Sequence, residues 1–210
     1  MKIKSFFFIA FSILITFNSL AQNQDRKFKI HTLAFYNLEN LFDTINDINK
    51  DDEKSPIMEI KFNRGKIYKQ KVSNMARVIS DIGYDITNRP PSIIGICEVE
   101  NRVVVEDLIA DERLSKVNYG IVHYDSPDKR GIDVSLLYNK DVFEVMNSKS
   151  HVLYINYNNT SNRSYTRDQL VVSGKLDGEL IHLIVNHWPS RGADETKRMA
   201  AAEVNNNIID

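Results

Sequence analysis

Three side chains stand where apolar runs stop, and each belongs to a type that does chemistry. Glu98 follows the run Ser92-Ile93-Ile94-Gly95-Ile96-Cys97, Asn37 follows Ala34-Phe35-Tyr36, and His187 closes the stretch that begins near Glu179. A carboxylate and an amide oxygen are hard donors that suit Mg²⁺, Mn²⁺ or Ca²⁺ and do not suit a metal that prefers thiolate. A histidine adds a group that exchanges a proton near neutral pH. Each residue also has a plainer reading: Glu98 marks where a strand surfaces, Asn37 forms a turn, and His187 makes a strand-end hydrogen bond. A fourth residue, Asp133, opens the otherwise apolar run 132–138. A buried carboxylate is costly unless paired, so Asp133 requires a partner.

The elements that hold these residues follow from periodicity. The run 92–97, preceded by Pro90-Pro91, reads as a strand buried on both faces. In open α/β architectures side chains at the carboxyl ends of such strands meet ligands. Alternation over residues 28–35 predicts a strand that delivers Tyr36-Asn37-Leu38-Glu39-Asn40 at its end. Residues 44–61 show no period and read as a surface loop. From Asn63, the apolar stripe Ile67, Tyr68, Val72, Met75, Val78, Ile79 and Ile82 predicts a helix that Gly83 terminates. A short helix is expected over 103–109 and strands over 119–123, 132–138 and 143–157. Residues 169–176 and 179–186 form a hairpin through Asp177-Gly178. Asp194 caps a final helix. Strand, helix and strand followed by antiparallel strands indicate a mixed α/β layered domain.

Composition narrows the setting. Residues 1–21 carry Lys2 and Lys4, an apolar core from Phe6 to Phe17 and the small residues Ser19 and Ala21, which is the pattern of a secretory signal peptide cleaved near Ala21. Secretion or a periplasmic location is therefore expected, with no stable membrane association, since no later stretch reaches the ~20 apolar residues of a span. Residues 22–210 carry 25 basic and 28 acidic side chains, a net charge of −3. A polyanionic substrate would have to be met by a local basic patch or a bound cation. The single cysteine, Cys97, excludes an internal disulfide framework and reads as a small core residue. Residues 158–160 and 162–164 match the short glycosylation triplet.

Five segments in order resemble the endonuclease/exonuclease/phosphatase superfamily. They are Phe35-Tyr36-Asn37-Leu38-Glu39-Asn40-Leu41-Phe42-Asp43; Ile96-Cys97-Glu98-Val99-Glu100-Asn101; Arg130-Gly131-Ile132-Asp133-Val134-Ser135-Leu136-Leu137-Tyr138; Thr166-Arg167-Asp168; and Asn186-His187-Trp188-Pro189-Ser190-Arg191. The resemblance implies a four-layer α-β-β-α sandwich, and residues 28–210 would be the amino-terminal part of that domain. It implies a metal site at Glu98 and Asn37, catalytic roles for His187 with Asp133 as the carboxylate that orients it, and phosphate contacts from Arg167, Arg191 and Asn186. The cofactor it implies is Mg²⁺, or else Mn²⁺ or Ca²⁺. Cys97 departs from the glutamine common before the glutamate. The family's Gly-Asp-Phe-Asn and Ser-Asp-His type motifs do not occur, so the chain is expected to be truncated at the carboxyl end and inactive alone. The expected activity is hydrolysis of nucleic-acid phosphodiesters. Lipid or inositol phosphoesters, or a non-catalytic secreted binding module of the same fold, are the alternatives.

Overall fold

A computed structural model of the protein describes residues 28–156 and 161–210. The expected signal peptide and the triplet at 158–160 lie outside them. Strand β1 (Leu33–Leu41) runs parallel to β2 (Ile93–Val99), and the crossover between them carries helix α1 (Arg64–Asp81) and the short α2 (Tyr84–Thr87). Helix α3 (Arg102–Ala110) leads to β3 (Tyr119–His123), which pairs antiparallel with β4 (Asp133–Asn139). The first sheet has the order β1-β2-β4-β3. A second sheet is built from β5 (Phe143–His151), β8 (Gln169–Leu176) and β9 (Glu179–Val185) in the order β5-β8-β9, and β6 (Ile155–Asn156) pairs with β7 (Arg163–Ser164) beside it. Helix α4 (Glu195–Ile209) follows Asp194, whose carboxylate accepts the Thr196 N–H at 2.9 Å as expected of an N-cap.

Two cores set the layers. Tyr68, Val72, Ala76 and Ile79 of α1 lie three or four residues apart, on one face. With Val104, Val105 and Leu108 of α3 they pack on Leu38, Ile94, Ile96 and Leu137 of the first sheet. The opposite face of that sheet places Ile93, Cys97, Val134 and Leu136 against Phe143, Leu170, Val172 and Val185 of the second. Ala201 of α4 meets Leu153 and Ile155, and its carbonyl accepts a 2.7 Å hydrogen bond from Gln169 at the start of β8. Helix, sheet, sheet and helix are therefore stacked as the α-β-β-α expectation required. Among the described residues no helix is long and apolar enough to cross a membrane.

Two elements differ in detail from their sequence pattern, and one turn forms as that pattern requires. The first strand begins at Leu33 rather than Phe28, and Phe28 and Ile30 are exposed. Gly83 does end α1, at φ +67°, and a Cβ there would stand 2.5 Å from the Thr32 hydroxyl. The stretch 44–61 is not purely superficial: it contains a single 3₁₀ turn (Asp52–Lys54) and buries Asp52, Ser55 and Ile57 over the first core.

Candidate active site

A pair of register breaks at one end of the first sheet builds the site. Pairing of β1 with β2 is regular from Leu33↔Ile93 to Asn37↔Cys97 and resumes only at Leu41↔Val99, so Leu38, Glu39 and Asn40 stand opposite Glu98 alone. On the other side, Cys97↔Val134 is followed directly by Val99↔Asp133, which leaves Glu98 as an extra residue there too. Glu98 takes φ +59°, and Glu39 and Asn40 take +51° and +57°. These are left-handed values that cost energy in residues with a Cβ and persist only where neighbours hold them. Lys71 of α1 supplies one such hold, its ammonium donating to the Glu39 and Asn40 carbonyls, the latter at 2.9 Å.

Side-chain parity shows the consequence. Ile94 and Ile96 face the helices, so an unbroken strand would send Glu98 the same way, into a hydrocarbon core. With the bulge, Val99 takes that place and Glu98 is turned toward the second sheet instead. The carboxylate is then fixed on both oxygens: Asn37 Nδ2 donates to Oε1 and the Asn40 N–H to Oε2, each at 3.0 Å. His187, two residues beyond β9, brings Nε2 to 3.4 Å from Oε1. Burial, then the nearby Arg167 charge, holds the imidazole below its ordinary value, with Glu98 opposing them. His187 therefore stands uncharged near neutrality rather than as imidazolium.

Glu98 and His187 lie in a cavity of about 460 Å³, whose walls include Lys129, Arg130, Arg167 and Lys197, with Tyr165 and Trp188 at its side. Asp128 is the other acid among its lining residues, and it is tied to Arg167 at 3.1 Å. The balance of the lining is cationic around one carboxylate, which suits an anion approaching a hard cation. A fixed and partly exposed glutamate with no thiolate nearby fits Mg²⁺, Mn²⁺ or Ca²⁺.

The other expected site residues fall differently. Asn37 holds Glu98 through its amide nitrogen, and its amide oxygen accepts the Glu39 N–H at 2.7 Å, which leaves that oxygen one lone pair for a ligand. Asp133 has the partner its burial demanded, but the partner is His123, not His187. Its Oδ2 lies 3.4 Å from His123 Nε2, and its Oδ1 accepts the Ser126 N–H at 2.8 Å. Sheet order is the reason, since β3 lies beside β4 in one sheet and β9 belongs to the other. His123, Asp125 and Asp133 thus form a separate cluster whose ligand atoms lie within 4.8 Å of one another.

Arg167 is a buried strut. Nη1 holds Asp128, Nε donates to the His187 carbonyl at 3.2 Å and Nη2 to the Trp188 carbonyl at 3.2 Å, which leaves at most two of its five N–H groups for a ligand. Asn186 donates to Asn205 of α4 at 2.9 Å and, like the exposed Arg191, is not among the residues that line the cavity. Asp128, Lys129, Arg130, Tyr165, Trp188 and Lys197 line it without having stood out as candidates in the sequence. The polar loop 124–131 offered a charge cluster as its signal, whereas Tyr165 and Lys197 offered none. Cys97 is fully buried, and desolvation pushes its thiol up to about 12.

A search of the curated proteins finds no match. Among solved structures, the mannosyl-6-phosphatase Bt3783 of Bacteroides thetaiotaomicron is similar at 13% identity and TM-score 0.51, over 86% of this chain and 59% of that one. ANGEL2, a 2′,3′-cyclic phosphatase, is similar at 11% identity and TM-score 0.51, over 83% and 45%. An endonuclease/exonuclease/phosphatase from Bacteroides vulgatus gives 17% identity and TM-score 0.49, over 84% and 57%. The chain thus spans about half the length of these structures, and at such identities the likeness is one of fold. The model of the Endonuclease/Exonuclease/phosphatase family matches residues 32–210, almost all that the structure describes, and the chain belongs to that family.

Proposed function

We propose that this protein is a secreted, divalent-metal-dependent phosphoesterase that hydrolyses nucleic-acid phosphodiesters. The observation that carries the reading is the 3.4 Å approach of His187 to Glu98 at a cavity with Lys129, Arg130, Arg167 and Lys197 in its walls. Those cations draw in a phosphoester although the chain as a whole is slightly acidic. Glu98 is the residue that would hold the cation, which supplies neutralisation of charge on a non-bridging phosphate oxygen when bound. Asn37 and Asn40 keep the Glu98 carboxylate in place, and Arg167 keeps the backbone of residues 187 and 188 in place, so both reacting sides of the cavity are preorganised. His187, neutral and oriented, is placed to hydrogen-bond the phosphoryl oxygens or to take a proton from attacking water.

The nucleic-acid preference rests on Tyr165 and Trp188, 46% and 37% exposed at the cavity wall, because flat aromatic faces stack bases while a basic groove tracks the backbone. Secretion rests on the leader pattern in residues 1–21. The test is turnover of single-stranded DNA, RNA, sphingomyelin and an inositol polyphosphate by the chain extended to the full length of the family domain, with Mg²⁺ and with EDTA. Cleavage of nucleic acid that EDTA and Glu98→Gln each reduce at least 10²-fold is expected, of the size of a lost transition-state contact. Turnover that survives both changes refutes the metal reading, and cleavage confined to the lipid or inositol substrate refutes the substrate. Silence on all of them favours a binding module.

A further inference from the structure

A second cavity, of about 100 Å³, lies apart from the first and shares none of its lining residues. Its walls carry five carboxylates, Asp47, Asp52, Glu100, Asp125 and Asp133, against one cation, Lys50. That cation is committed elsewhere, since Lys50 Nζ donates to the Ser126 and Asp128 carbonyls at 3.0 and 3.2 Å. Acidic walls alone prove nothing, because carboxylates cluster on many surfaces. The informative residue is Asp52, which is 1% exposed. Its Oδ2 accepts the Asp47 N–H at 2.9 Å, but its Oδ1 is buried with no hydrogen-bond partner among the described residues.

What faces Asp52 is another acid. Glu100, also buried, lines the same cavity, and its Oε2 already accepts the Asp43 N–H at 2.6 Å. Two carboxylates cannot satisfy each other, because both only accept. A proton, a water or a cation is what can satisfy the free oxygen between them. The cavity is large enough for an ion with a few waters, at roughly 30 Å³ each.

We infer that this cavity is a binding site for a divalent cation, with Asp52 and Glu100 as its anchoring ligands and Asp125 on the facing wall. Ca²⁺ fits best, since it takes six to eight oxygens in irregular cages of carboxylate and carbonyl, whereas Mg²⁺ demands near-octahedral geometry and keeps its water. The role is structural. Asp52 comes from the long polar loop after β1, and Glu100 from the turn after β2, so the ion pins that loop onto the first sheet close to the bulge that presents Glu98.

The experiment uses the Glu98→Gln protein, in which the active-site ligand is removed, stripped with EDTA and titrated with CaCl₂ and separately with MgCl₂ by calorimetry and by thermal melting. One Ca²⁺ per chain and a higher Tm with Ca²⁺ are expected, and adding Asp52→Asn should weaken Ca²⁺ binding at least ten-fold. If the Glu98→Gln protein binds no Ca²⁺, the site does not exist. Should Asp52→Asn bind Ca²⁺ as tightly as its parent, the ligands are misassigned. A gain in metal-free stability from Asp52→Asn, in a Glu98→Gln parent that itself does not respond to Ca²⁺, means that the acids share a proton, and the proposal fails. Titration of the Glu98→Gln protein does not depend on the Asp52 variant, so Ca²⁺ binding or its absence decides the proposal even where the double variant does not fold.

Discussion

Arg167→Met separates a structural strut from a phosphate ligand. In the native protein the guanidinium and the Asp128 carboxylate are 9% and 5% exposed and 3.1 Å apart, so removing the cation leaves a buried carboxylate without its counter-ion. Breaking a buried pair from one side costs about 3–5 kcal/mol. The Arg130 N–H still reaches Asp128 Oδ1 at 3.0 Å, which draws the value toward the lower end, while the His187 and Trp188 carbonyls each lose a donor worth about 1 kcal/mol. At about 2–4 °C per kcal/mol for a chain of this size, a total of about 5 kcal/mol should lower Tm by roughly 10–20 °C. The double variant Arg167→Met/Asp128→Asn should recover at least half of that loss, because the stranded charge is gone. Far-UV circular dichroism follows the global melt. Fluorescence of Trp188, the sole tryptophan, follows the segment that Arg167 holds. A fall in Tm below about 2 °C, combined with weakened binding of a phosphate monoester, would show that Arg167 serves the ligand and not the fold.

Asp133→Asn and His187→Ala should have additive effects on turnover, because Asp133 is engaged with His123 and Ser126, whereas Asp133→Asn and His123→Ala should be non-additive in urea denaturation by about 0.5 kcal/mol or more, the scale of coupling between touching residues. Strong kinetic coupling of Asp133 to His187 would overturn the assignment of partners. Cys97 should resist a thiol reagent at pH 8 in the folded protein and react with one equivalent in guanidinium, since it is fully buried and its thiol sits near 12. Rapid native labelling would mean that β2 opens. The slow residual native rate should rise about ten-fold between pH 8 and 9, because the thiolate fraction grows about ten-fold per pH unit while the pH is far below the value of the thiol.

Much of this protein is legible in one dimension. The alternation of Leu170, Val172 and Gly174 with Val171, Ser173 and Lys175, the Asp177-Gly178 turn, the stripe of α1 and the cap Asp194 are all local, and each element formed as its pattern implies. Glu98 and His187 were also legible, as polar residues closing apolar runs. Tertiary structure decided which polar residues meet. Glu98 reaches His187 only because a left-handed bulge reverses its side, and a strand pattern with strict period two cannot announce such a reversal. Asp133 belongs to His123 because β3, which comes earlier in the chain, inserts as the edge strand beside β4, whereas β9 lies in the other sheet. Arg167 became a strut and Asp52 an unpaired buried acid for a shared reason: whether a charged side chain faces a ligand, a carbonyl or another acid depends on what the rest of the chain places within about 4 Å of it. Pairing at that range joins residues far apart in sequence, such as Asp128 with Arg167 and Asn37 with Glu98.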